Sequence, residues 1–98
     1  MFEPRIGHAM VSATAREVLQ WLGAPFEATI TAYLKSKYGK GIEIIEESPR
    51  KFYEALRELF GEFAAKMFIY NLVNELHLSA KSNDIEDRLR ALEEYLSS

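Results

Sequence analysis

The stretch EFAAKMFIYNLVNELHL, residues 62–78, places the tightest limit on what this chain can fold into. Wound at 3.6 residues per turn, Phe63, Ala64, Ala65, Met67, Phe68, Ile69, Leu72, Val73 and Leu76 leave only a narrow polar edge. A helix apolar on nearly every side has to be covered by several neighbours. The stretch therefore predicts the central, buried helix of an all-α bundle, at about 62–78. Charges interrupt it well before the roughly 18 apolar residues that a membrane span needs.

The rest of the chain reads as the helices that cover it. In SATAREVLQWLG, Ala15, Val18, Leu19 and Leu22 recur at helical spacing with Trp21 beside them, and Ser12 or Thr14 is placed as the N-cap. Gly23 and Pro25 stop that helix and restart the next, whose stripe is Phe26, Ile30, Tyr33, Leu34 and Tyr38. Gly39 ends it. Ile42, Ile44 and Ile45 then predict an extended connection onto the core, since one short strand would find no partner. Ser48 followed by Pro49 opens a third helix, PRKFYEALRELF, with Phe52, Ala55, Leu56, Leu59 and Phe60 inward, and Gly61 closes it. After the polar break SAKSND, residues 83–97 form an amphipathic C-terminal helix, capped by Asn83 or Asp84. Residues 1–9, with Pro4 and Gly7, show no period and read as an N-terminal tail. The expectation is one all-α domain over 1–98, with about five helices.

Composition narrows the function classes. Hydrophobic residues make up 48% of the 98, enough for a core. There is no cysteine, which removes disulfides, thiolate metal sites and a cysteine nucleophile and fits a reducing cytoplasm. The start, MFEPRIGHAM, lacks the basic and apolar regions of a signal peptide. The formal net charge of -3 argues against a surface that attracts polyanions as a whole.

With the helices placed, VLQWLGAPFEATITAYLKSKYGKGIEIIEESPRKFYEALRELFGEFAAKMFIYNLVNEL resembles the Nitrosopumilus output domain family of small archaeal helical domains. The resemblance is carried by the Leu22-Gly23 stop, the YLKSKYG helix end, the Pro49–Phe52 start, and ALRELFGE leading into the hydrophobic helix. It covers roughly residues 15–78 and leaves out the tail after residue 80. It implies a helical fold, an archaeal source and a module resembling signalling output domains. It supplies no catalytic residue.

No residue pattern points to chemistry. Gly39-Lys40-Gly41 follows a helix C-terminus, whose carbonyls and negative dipole repel phosphate. Glu75 and His77 are two apart and point to different sides, and His8 has no local partner at metal-site spacing, so neither a metal nor a cofactor is expected. Glu43, Glu46 and Glu47 read as a solvated turn, and Ser12, Ser48, Ser79 and Ser82 as caps and turns rather than nucleophiles. The chain is therefore expected not to be an enzyme.

Three binding readings remain. In the first, Ile85, Leu89, Leu92 and Leu96, stepping by four, three and four, form a short coiled-coil-like seam. This seam either folds back onto the domain or pairs with another chain, and the homodimer or protein partner is the favoured expectation. In the second, Lys35, Lys37, Lys40, Arg50 and Lys51, with Tyr38 as a stacking face, contact nucleic acid; the intervening glutamates argue against it. In the third, the aromatic set of Trp21, Phe52, Tyr53, Phe60, Phe63, Phe68 and Tyr70 lines a pocket for a small apolar ligand, although a filled core is the preferred reading.

Overall fold

The computed structural model of the chain describes residues 6–97. Six helices follow one another: α1 (Ile6–Leu22), α2 (Ala24–Tyr38), α3 (Ile44–Glu47), α4 (Pro49–Phe60), α5 (Glu62–Glu75) and α6 (Ile85–Ser97), with no strand among the described residues. This is the expected all-α bundle. No helix among them is long and apolar enough to cross a membrane. The Cα radius of gyration is 12.6 Å, close to the ~13 Å of a compact domain of about 100 residues, so no helix stands away from the body.

α5 sits in the middle and packs against α1, α4 and α6. Its Ala65, Phe68, Ile69, Leu72 and Val73 are buried. The main contact is with α4, where the Phe52 and Phe68 rings lie 5.3 Å apart at 39°, a tilted geometry that aromatic quadrupoles favour. α1 supplies Val11, Ala15, Val18 and Leu19 to the same core, and α2 supplies Ile30 and Leu34.

The helix boundaries follow local chemistry. Gly39 adopts φ 73°, and its N–H donates to the Lys35 carbonyl, so a residue without a Cβ closes α2 in the left-handed region at little cost. The Ser48 hydroxyl accepts the Lys51 N–H at 3.2 Å, with Pro49 in the first turn. Ser48 and Pro49 thus open α4 as the sequence predicts.

Four expectations change. The segment at Ile42–Ile45 is not extended: bonds from the Ile44, Ile45 and Glu46 N–H groups to carbonyls three residues back wind it into a turn leading into α3. All three isoleucines still reach the core. α1 begins at Ile6, so the described part of the expected 1–9 tail is helical, while residues 1–5 lie outside the described residues. Ser12 and Thr14 are consequently buried inside α1 instead of capping it. At the other end, α5 stops at Glu75 rather than 78, and His77 turns the chain with φ 57°.

The fourth change concerns the C-terminal seam. Leu89, Leu92 and Leu96 are buried against their own domain, and Ile85 packs beside them half-buried. The seam thus takes the alternative in which it folds back onto its own domain. A tethered helix meets its own core at a high effective concentration, so the seam is satisfied in cis before a second molecule competes. Arg50 strengthens the closure across α4 and α6, with Nη1 at 2.9 Å from Glu86 and Nε at 2.8 Å from Glu93. Those two carboxylates hold the guanidinium pKa above its ordinary value.

Leu92→Ala is expected to lower the unfolding free energy by about 2–5 kcal/mol, as a large-to-small change in a packed core does, without altering the sedimentation coefficient of the folded protein. Urea denaturation and ultracentrifugation together check this.

Candidate functional site

The basic residues between Lys35 and Lys51 do not assemble into one positive face. Lys37 pairs with Glu58 at 3.2 Å and Lys40 pairs with Glu47, while Arg50 is turned toward α6. Lys35 lies near Glu43, whose carboxyl pKa is lowered first by its own backbone N–H and further by Gly41, Arg16 and Lys35. Only Lys37 and Lys51 converge, at 5.7 and 5.5 Å from the Tyr38 ring centroid. Glutamates thus intervene where a nucleic-acid surface would need charge of one sign.

A second polar group bridges α1, α3 and α6. The Ser12 hydroxyl donates to Glu46, His8 Nδ1 lies 3.7 Å from the other Glu46 oxygen, and His8 Nε2 is 2.9 Å from the Leu96 carbonyl oxygen. This cluster ties the end of α6 to the start of α1. The signal that would have revealed it is the four-residue spacing of His8 and Ser12, which puts both on one helix face. Among the described residues, no group of three or more His, Asp or Glu side chains is placed to hold a metal ion.

The feature with a binding shape is an apolar groove of about 330 Å³. Four helices build it. α1 contributes Val18, Trp21 and Leu22; α2 contributes Phe26; α4 contributes Leu56 and Phe60; α5 contributes Phe63, Ala64, Met67, Phe68 and Asn71. The Phe26 and Phe60 rings pack against each other at 5.0 Å and 59° to form one wall. Along α5, Phe63, Met67 and Asn71 step by four, which aligns them on one side. The groove contains no acid, base or hydroxyl nucleophile.

This groove revises the expectation of a filled aromatic core. Phe52 and Phe68 are core residues, and Tyr53 is 6% exposed, its phenol pKa raised chiefly by burial. Phe63 is 79% exposed, Trp21 60% and Met67 42%. Helical periodicity marks these side chains as apolar but does not reveal that the neighbouring helices stop short of covering them.

Residues 5–96 match the Nitrosopumilus output domain 5 family, a wider span than the roughly 15–78 the motifs suggest and one that takes in α6. No curated protein matches the sequence. The chain is similar to PH0832 from Pyrococcus horikoshii OT3, whose crystal structure superposes with a TM-score of 0.71 at 26% identity, covering 94% of this chain and 98% of that one.

Two outcomes follow from the site. Phe63→Ser is expected to change the unfolding free energy at submicromolar protein by less than about 0.5 kcal/mol, whereas Phe68→Ala costs about 3–5 kcal/mol; urea titrations compare them. In low-salt fluorescence anisotropy, single-stranded DNA is expected to give no saturable binding, and tight binding would restore the basic-patch reading.

Proposed function

The chain belongs to the Nitrosopumilus output domain 5 family, and from that premise we propose that it is a non-enzymatic interaction module that self-associates through the apolar groove. The observation that carries the reading is the pair of rings at the groove mouth, Phe63 and Trp21, left in water by a fold that buries Phe52 and Phe68 completely or nearly so. With aromatic side chains presenting about 150–250 Å² each, Trp21, Phe63 and the exposed parts of Leu22, Phe26 and Met67 amount to roughly 500 Å² of apolar surface. That is at the upper end of what a monomer exposes.

A two-fold arrangement uses the same surface on both copies. Phe63 projects from the lip of the groove, and the recess beside it takes the Phe63 of the partner. The interface is thus formed by the helices that build the groove, α1, α2, α4 and α5, and the C-terminal seam has no part in it. The family's description as an output domain fits a module that acts by contact. The cysteine-free composition and the archaeal relative support a cytoplasmic setting in an archaeon.

Sedimentation is expected to show a reversible dimer, with Phe63→Glu shifting it to monomer while helicity is retained. Trp21 is the sole tryptophan, so its emission is expected to move to longer wavelength on dilution of the wild type. A chain that remains monomeric up to about 0.5 mM, where even a weak complex forms, would overturn the reading.

A further inference from the structure

An apolar partner leaves one group in the groove unanswered. Asn71 lines the recess, is only half-buried, and its amide has no hydrogen-bond partner among the described residues. The chain has three asparagines. Asn83 accepts a bond from Arg88 at 2.9 Å and Asn74 is exposed to water; of the three, Asn71 is the one that lines the apolar recess. A phenyl ring entering the recess would return no hydrogen bond to that amide.

We infer that the recess is a ligand site for a small planar aromatic molecule carrying one N–H donor, held between apolar walls and bonded to the Asn71 side-chain oxygen. The volume of about 330 Å³ lies within the range of small-molecule sites. The tilted Phe26–Phe60 pair offers aromatic faces, and Trp21 stands at the mouth. Ala64, one turn before Phe68 on α5, makes room: a larger side chain there would fill the recess. Apolar walls with one placed polar group are the usual composition of such sites, the walls giving affinity and the polar group orientation.

The site stands on this geometry alone. Its consequence, displacement of the partner's Phe63 by the ligand, rests on the self-association proposed above. The ligand wins that exchange because it donates a hydrogen bond to the Asn71 side-chain oxygen and a phenyl ring does not.

The test uses indole, with 1-methylindole as the probe that lacks the donor, titrated into the full chain and followed by NMR at the Asn71 side-chain amide. Saturable shifts are expected, with 1-methylindole about tenfold weaker, as loss of one hydrogen bond predicts. Asn71→Leu is expected to bring the two affinities together while leaving helicity unchanged, and Ala64→Leu to abolish both. No saturable shift with indole, or equal affinity of the wild type for both probes, would overturn the site. Sedimentation with saturating indole tests the consequence. Dissociation of the dimer supports displacement, and a dimer that persists with indole bound overturns it. In a chain already monomeric without indole, the NMR titration decides the site by itself.

Discussion

The fold depends on burying α5. Ala65, Phe68, Ile69, Leu72 and Val73 lie on so wide an arc of this helix that no single neighbour can cover them. Each buried large side chain is worth roughly 1.5–3 kcal/mol relative to exposure, so the other helices are arranged to reach this one. α4 covers it most extensively, through Phe52 and Leu56, and α1 and α6 close two further sides. The closure of α6 against its own chain is part of the same requirement: with Leu89, Leu92 and Leu96 removed, a side of α5 would face water.

Polar contacts then hold the position of helices that apolar packing brings together. Arg50 spans from α4 to two carboxylates on α6, and Glu46 joins Ser12 and His8 between α3 and α1. Most of the remaining ion pairs are exposed and contribute little each. The Arg50 and Glu46 contacts bridge elements far apart in sequence, as the exposed Lys37–Glu58 pair also does. They restrict how α6 and α3 can slide on the core, and a hydrophobic contact alone would allow such sliding.

The groove follows from the same geometry. α5 carries more apolar surface than three neighbours can cover, and the surplus emerges where α1 and α4 end and α2 and α5 begin. Trp21 and Leu22 close α1, Phe26 opens α2, Phe60 closes α4 and Phe63 opens α5. Helix ends meet here, so the chain turns away and leaves a recess that small Ala64 keeps open. A binding surface at such a place needs no dedicated loop; it is the unfinished side of the core.

Helix positions were legible in the sequence because their causes are local. The Ser48-Pro49 start, the Gly39 and Gly61 stops and the spacing of Val18, Leu19, Ile30, Leu34 and Phe52 act within a few residues, and each appears where the pattern places it. The family resemblance rests on the same boundary signals. What periodicity could not reveal is which neighbour, if any, covers each face. Leu89, Leu92 and Leu96 look like an interface in sequence and are core, while Phe63, Met67 and Trp21 look like core and stand in water. His8 and Ser12 become partners of Glu46 only because α3 is brought against α1. The sequence by itself determined where α2, α4 and α6 run, the body of α1 and α5, and which residues on them are apolar, since backbone hydrogen bonding and side-chain spacing are local. Only the tertiary structure decided which apolar faces are spent on the core and which remain available, because that depends on how helices distant in the chain cross.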